Sequence, residues 1–222
     1  QTAGRGRRGH TWDSTAGNLL LSIVVRPNVN PAKYPGLAAV CGLAVLKTLE
    51  KQGLATEIDL KWPNDLVARG RKLGGILVEA ARDNEGKPFA VCGIGVNVNY
   101  TPQEVPDGGL PAIGLSDLNE SLPSVDTLLD EAHRAVMDSV DAWAEQLNAL
   151  ADDAGPLAPV RDEYIARLKW IGERVIARSP AGDELARGIF KTVDDFGRAS
   201  IETEDGLRSF HFEEASLRPL ND

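Results

Sequence analysis

The sequence has 222 residues, a formal net charge of −9 and 42% hydrophobic residues, enough to bury a sizeable core and to divide into one larger and one smaller domain. No apolar run approaches the roughly 18 residues that cross a membrane, no basic-then-apolar leader opens the chain, and the acidic balance argues against a general nucleic-acid footprint, so the expected compartment is the cytoplasm. Cys41 lies in a helical apolar pattern and Cys92 in an apolar strand run, which reads as two buried reduced thiols rather than a disulfide, and His10, His133 and His211 lack metal-ligand spacing.

The chain opens Gln1-Thr2-Ala3-Gly4-Arg5-Gly6-Arg7-Arg8-Gly9-His10-Thr11-Trp12, with three glycines and three arginines in its first nine residues. Glycines leave backbone N–H groups unshielded and guanidinium forks match phosphate and carboxylate oxygens, so this loop suits an anion; a basic arm for nucleic acid is the alternative. Asn18 leads into an apolar run over 19–25, a buried strand. After Pro27, Pro31 and Pro35, residues Leu37, Val40, Cys41, Ala44, Val45 and Leu49 fall on one face of a helix that Gly53 stops.

Ile58, Leu60 and Trp62 alternate as a half-buried strand does, Pro63 ends its ladder, and Asn64-Asp65 are turn formers at the strand end. The chain returns through Arg69-Gly70-Arg71 to a second apolar strand over 73–81, where Gly74-Gly75 strip side chains from the strand and mark close approach of a ligand or another backbone. Lys72 stands at the mouth of this glycine-lined slot, placed to reach an anionic oxygen as a mobile point charge. A hairpin with a solvated lysine, and a turn-capping Asp65, are the plainer readings of the same residues.

Phe89-Ala90-Val91-Cys92 continues into Gly93-Ile94-Gly95-Val96-Asn97-Val98-Asn99, a further buried strand. Its glycines fall within the strand and no helix follows, so it is not a dinucleotide fingerprint, and no P-loop pattern occurs anywhere. Residues 101–123 read as a surface loop. Ser124 is a candidate N-cap for a long helix whose apolar face runs Val125, Leu128, Leu129, Ala132, Val136, Val140, Trp143, Leu147 and Leu150. Gly155-Pro156 breaks the chain before a short helix over 160–168, and the domain boundary is placed after it, giving domains 1–169 and 170–222. Short strands over 174–179, 185–193, 199–203 and 207–212, separated by glycine turns, have the spacing of a small barrel.

Four of these motifs, in this order, resemble the biotin protein ligases: the Gly4-Arg5-Gly6-Arg7-Arg8-Gly9 loop with Trp12, Lys61-Trp62-Pro63-Asn64-Asp65, Arg71-Lys72-Leu73-Gly74-Gly75-Ile76-Leu77-Val78-Glu79, and Gly93-Ile94-Gly95-Val96-Asn97-Val98-Asn99. The resemblance is dense from Gln1 to Asn99 and returns weakly near the C-terminus. It implies an α+β fold, with a mixed β-sheet packed with helices in a class II synthetase-like catalytic domain, and a small C-terminal SH3-like β-barrel. It implies an ATP-dependent biotin–[acetyl-CoA-carboxylase] ligase that makes biotinyl-5′-AMP and passes biotin to a lysine of a biotin carboxyl carrier protein, the domain of a biotin-dependent carboxylase, with Mg²⁺ accompanying ATP.

On the same resemblance Lys72, Arg5 and Arg7 are catalytic, Lys72 touching the biotin carboxylate and α-phosphate. Gln1, Gly4, Arg5, Lys72, Gly75, Leu77 and Gly93 form the biotin slot. Arg7, Arg8, Trp12, Lys61, Asn64 and Asn97 hold the nucleotide, the two asparagines reading adenine, and Asp65 is the candidate at the triphosphate and metal end. His10 stands where the family often has arginine. The family's Ser/Thr-rich stretch ahead of the loop has no counterpart before Gln1, so the chain is expected to begin inside the catalytic domain. Monomer and homodimer both remain open. A lipoate ligase or acyltransferase of the same fold is the alternative enzyme, and a nucleic-acid-binding or regulatory module is the alternative outside enzymes.

Overall fold

The fold was read from a computed structural model that describes residues 3–9, 11–54, 57–102 and 109–220, with nothing described for the side chain of Arg8. Two short strands, β1 (Gly4–Arg5) and β2 (Thr11–Trp12), pair antiparallel at the ends of the glycine-arginine loop. The main sheet contains β3 (Leu19–Val25), β4 (Ile58–Lys61), β5 (Asp65–Ala68), β6 (Arg71–Arg82) and β7 (Pro88–Val96) in the order β3-β7-β6-β5-β4. Neighbours are antiparallel, and among the described residues parallel pairing is confined to two isolated bridges, Leu60 with Leu168 and Lys72 with Ala112.

Strand β5 corrects the hairpin drawn from sequence, in which residues 65–70 only connect two strands. The chain turns tightly through a cis Trp62–Pro63 bond into β5, and the hairpin that presents Lys72 is β5–β6, closed by Arg69 and Gly70, both with positive φ. Its register shifts between Leu66 and Val67, so that Val67 faces Lys72 and Leu73 is the extra residue of a bulge.

Helix α1 (Leu37–Lys51) lies on one face of this sheet and α2 (Val125–Asn148) lies across α1 and β3. That second cover is why α1 is buried on nearly every side, Ala39, Leu43 and Leu46 included, and not on one face alone. Ser124 caps α2, its hydroxyl accepting from Thr127 N at 3.1 Å. Leu128, Val136, Val140 and Trp143 bury almost completely, at about 1.5–3 kcal/mol per side chain of this size. Leu150, assigned to this face from its spacing, lies past the helix end and is exposed. Residues 109–118 are not a mere surface loop: Ile113 and Leu115 are buried, and Lys72 N and O bond with Pro111 O at 2.7 Å and Ile113 N at 2.9 Å.

After the short α3 (Arg161–Ala166), strands β8 (Arg174–Arg178), β9 (Glu184–Val193), β10 (Ala199–Thr203), β11 (Gly206–Phe210) and β12 (Ser216–Pro219) make a second antiparallel sheet, ordered β11-β10-β9-β8-β12. Val175, Phe190, Ile201 and Leu217 form its core. Strand β12, which the sequence reading missed, is an edge strand ending in Pro219, a position where a missing N–H costs no ladder bond. Among the described residues no pairing joins β11 to β12, so closure into a barrel is not established. The turn at Asp194–Gly197 docks on the first unit: Leu157 N donates to Asp195 O at 2.8 Å, and the buried Trp62 indole donates to Gly197 O at 2.9 Å.

Candidate active site

The face of the main sheet that α1 leaves uncovered holds a cleft of about 790 Å³. Its floor follows from register. Leu20 is paired with Gly95, Gly95 with Gly75 and Gly75 with Asp65, so two adjacent strands present bare backbone between an apolar side chain and a carboxylate. The next row, Ser22, Gly93 and Leu77, continues the trough. A Cβ built on Gly95 would lie 2.5 Å from the Trp12 ring, so this glycine is required by the indole that covers it.

Strict alternation would put residues 72 and 75 on opposite faces, because they are three apart. The bulge at Leu73 cancels that parity, and Lys72 Nζ lies 3.5 Å from where a Gly75 Cβ would stand. There Lys72 Nζ meets Asp65 Oδ1 at 2.7 Å, while Lys61 Nζ donates to Asp65 Oδ2 at 3.0 Å. Burial pushes the Asp65 pKa up, but the charges and hydrogen bonds of Lys72 and Lys61 outweigh it and hold the carboxyl well below the usual carboxylate range. Burial dominates at Lys61, whose pKa falls despite Asp65. Tyr164 donates to Pro63 O at 2.9 Å and stays neutral, because burial and then the Asp65 charge raise its pKa.

Of the residues singled out from sequence, Arg5, Arg7, Trp12, Lys61, Asn64, Asp65, Lys72, Gly75, Leu77, Gly93 and Asn97 all line this cleft. Gln1, His10 and the side chain of Arg8 lie outside the described residues. Gly4 does not line it: a Cβ there would sit 2.3 Å from Trp12 O, so its bareness serves the β1–β2 pairing. Lys61 lines the wall, with its side chain only 4% exposed and paired with Asp65. Asn64 spends its amide on the protein, donating to Ile76 O at 2.5 Å and accepting from Arg7 Nη1 at 3.0 Å.

Asn97 is held by Nδ2 to Ile113 O at 3.1 Å, and its buried Oδ1 has no hydrogen-bond partner among the described residues. That oxygen is buried beneath the cleft wall, which Asn97 helps to line. Asn18 positions the segment behind it, accepting from Val98 N at 2.8 Å and Tyr100 N at 3.1 Å. Sequence reasoning missed Leu20 and Ser22, which the period of β3 could have revealed, and Ser216 and Arg218, which nothing local in sequence announces. Burial lowers the Arg218 pKa, with the Asp65 charge opposing.

The model for the biotin/lipoate A/B protein ligase family matches residues 1–99, and that for the biotin protein ligase C-terminal domain matches residues 170–218. The biotin–[acetyl-CoA-carboxylase] ligase of Mycobacterium tuberculosis is 37% identical over 207 residues, covering 91% of this chain and 70% of that protein. The chain belongs to the biotin protein ligases. The Paracoccus denitrificans biotin–[acetyl-CoA-carboxylase] ligase is 33% identical over 89% of this chain and 79% of its own length. Among solved structures, the Aquifex aeolicus biotin protein ligase in complex with biotin and ATP superposes with a TM-score of 0.76 at 25% identity, covering 97% of this chain and 84% of that one. In this biotin protein ligase, then, the glycine floor, the three-charge cluster and the Asn97 amide are the features that need a chemical reading.

Proposed function

We propose that the chain activates biotin with ATP and transfers it to a lysine of a biotin carboxyl carrier protein in the cytoplasm. The observation that carries this reading is the trough itself, bare and apolar at the Leu20 end and cationic at the Lys72 end, matched to an aliphatic acid that must meet a phosphate. A biotin carboxylate oxygen bonds to the α-phosphorus as the bond to pyrophosphate breaks, giving biotinyl-5′-AMP. The carrier amine then bonds to the acyl carbon, AMP leaves and the amine gives up its proton. Both steps gather negative charge on phosphate oxygens, so fixed cations supply much of the catalysis.

Lys72 is assigned to the carboxylate and α-phosphate, with Asp65 orienting it and Lys61 balancing Asp65. Arg218 adds a cation on the far wall. Gly75, Leu77 and Gly93 line the biotin slot with Arg5 at its rim, where Arg5 pairs with Glu79 at 3.1 Å. Asn97, which lines the cleft, is assigned to adenine, whereas Asn64 serves the loop through Arg7. Arg7 and Trp12 belong to the cover over the cleft, with Trp12 beside the adenylate.

The residues do not fit a resident Mg²⁺ site at Asp65. Both of its oxygens are paired with lysines, and no group of three His, Cys, Asp or Glu that could hold a metal occurs among the described residues. Magnesium is therefore assigned to the substrate as MgATP, held chiefly by the triphosphate and water. In the same reading the domain boundary falls at 169/170, and the C-terminal sheet, bent where its register shifts at Ala177/Arg178 and Ser200/Ile201, is an SH3-like barrel.

Pyrophosphate release measured with MgATP and either biotin or lipoate, followed by label transfer to a carrier domain, tests the assignment. Release with biotin and not with lipoate is the expected result. Release that ignores biotin, or adenylate that never reaches the carrier, would overturn it.

A further inference from the structure

The glycine-arginine loop is held shut from the other sheet. Arg7 spans the gap, donating Nη1 to Asn64 Oδ1 at 3.0 Å and Nη2 to Phe212 O at 2.8 Å, with its guanidinium carbon 5.3 Å from the centre of the Phe212 ring. One side chain thus joins the loop to the strand end at Asn64 and to the segment between β11 and β12. That segment is a firm post. His211 N donates to Glu214 Oε2 at 2.8 Å, Glu214 N returns a bond to His211 O at 3.0 Å, and Ala215 beside them is fully buried. The sheet carrying the post is fixed to the first unit through Trp62 and Gly197.

We propose that Phe212 is a positioning residue that latches the glycine-arginine loop through Arg7, so that the C-terminal sheet sets how long the adenylate stays in the cleft. This rests on the ligase reading above. The ring holds the guanidinium by cation–π attraction while the carbonyl takes one N–H, and opening the loop requires these contacts and the Asn64 bond to break. Loss of the ring alone leaves the carbonyl in place, so a partial effect follows: about two- to thirtyfold faster release of adenylate, the range that a cation–π contact supports. The effect passes through Arg7, so removing Arg7 first should abolish it.

The experiment uses the full chain as wild type, Phe212→Ala, Phe212→Leu, Arg7→Ala and the Arg7→Ala/Phe212→Ala double variant. Each is loaded with labelled biotin and MgATP, chased with unlabelled biotin, and followed for labelled biotinyl-5′-AMP that remains bound. Biotin-dependent pyrophosphate release is measured alongside, with its KM for biotin. Faster loss of adenylate from both Phe212 variants is expected, with the KM for biotin unchanged and no additional effect of Phe212→Ala in the Arg7→Ala background. Leucine keeps the apolar packing, so a fault there reads the ring and not the fold. Wild-type retention in a folded Phe212→Leu variant, or an undiminished effect of Phe212→Ala without Arg7, overturns the latch. A wild type that releases no pyrophosphate in response to biotin overturns the ligase reading and the latch with it.

Discussion

Asp65→Asn removes the charge that holds two lysines within 3.0 Å of one carboxylate. Lys61 suffers most, because its side chain is 4% exposed while that of Lys72 is 34% exposed and can turn to water. Breaking a buried pair by deleting one partner costs about 3–5 kcal/mol. For a chain of this size that is a fall in Tm of roughly 6–20 °C, at about 2–4 °C per kcal/mol. If the uncompensated Lys61 charge is the cause, adding Lys61→Met should restore stability to within about 1 kcal/mol of wild type, since an apolar replacement of a buried pair is often neutral. The pH dependence has a definite sign. The folded Asp65 pKa lies below its ordinary value, so its contribution is complete above about pH 4 and is lost as pH falls below that. Thermal melts by circular dichroism at pH 7 and at pH 3 check each step. A single variant that melts within about 2 °C of wild type at pH 7, or a double variant no more stable than Asp65→Asn, would refute the account of the cluster.

Three further outcomes follow from the site. Lys72→Ala should leave the fold intact and slow adenylate formation by about a hundredfold or more, the scale for losing one electrostatic stabiliser; near-normal biotin-dependent pyrophosphate release from a folded variant removes Lys72 from the chemistry. Asn97→Ala should raise the KM for ATP while biotin affinity measured without nucleotide stays close to wild type, because Asn97 is assigned to adenine alone; equal loss of both by calorimetry would point to a misplaced site or a folding fault. Arg7→Gly should still make adenylate but release it early, so that a biotin blot of an unrelated protein incubated with the variant, biotin and MgATP gains signal over wild type. An unlabelled bystander beside a variant that makes adenylate removes Arg7 from the cover.

The glycines and charged residues of the cleft were legible in the sequence because they break the strand pattern: Gly75, Gly93 and Gly95 are bare where β-branched residues would be usual, and Lys72 is charged where an apolar strand begins. What could not be read was how they are aimed. The bulge at Leu73 inverts the facing of Lys72 relative to Gly75, and no residue type signals it. Strand β5 was lost because Leu66, Val67 and Ala68 are too few to show a period. The depth of Lys61 and its pairing with Asp65 were not legible, because a strand-end lysine ordinarily points to water. Arg218 and Phe212 were invisible as site residues because their roles arise from contacts more than a hundred residues away in sequence, Arg7 to Phe212 being 205 apart.

That long reach gives the cleft an order of completion. During synthesis the amino-terminal unit emerges first and begins to fold while later residues are still being joined. Lys72, Asp65 and the glycine floor are all present by residue 97, yet the carbonyl that receives Arg7 belongs to Phe212, and the guanidinium on the far wall to Arg218. Until Phe212 has been made Arg7 lacks that partner, and until Gly197 has been made Trp62 lacks the carbonyl that its indole meets. Premature termination between the end of β8 and Phe212 therefore yields a chain that keeps Arg7 and Lys72 but lacks the ring and carbonyl that Arg7 meets.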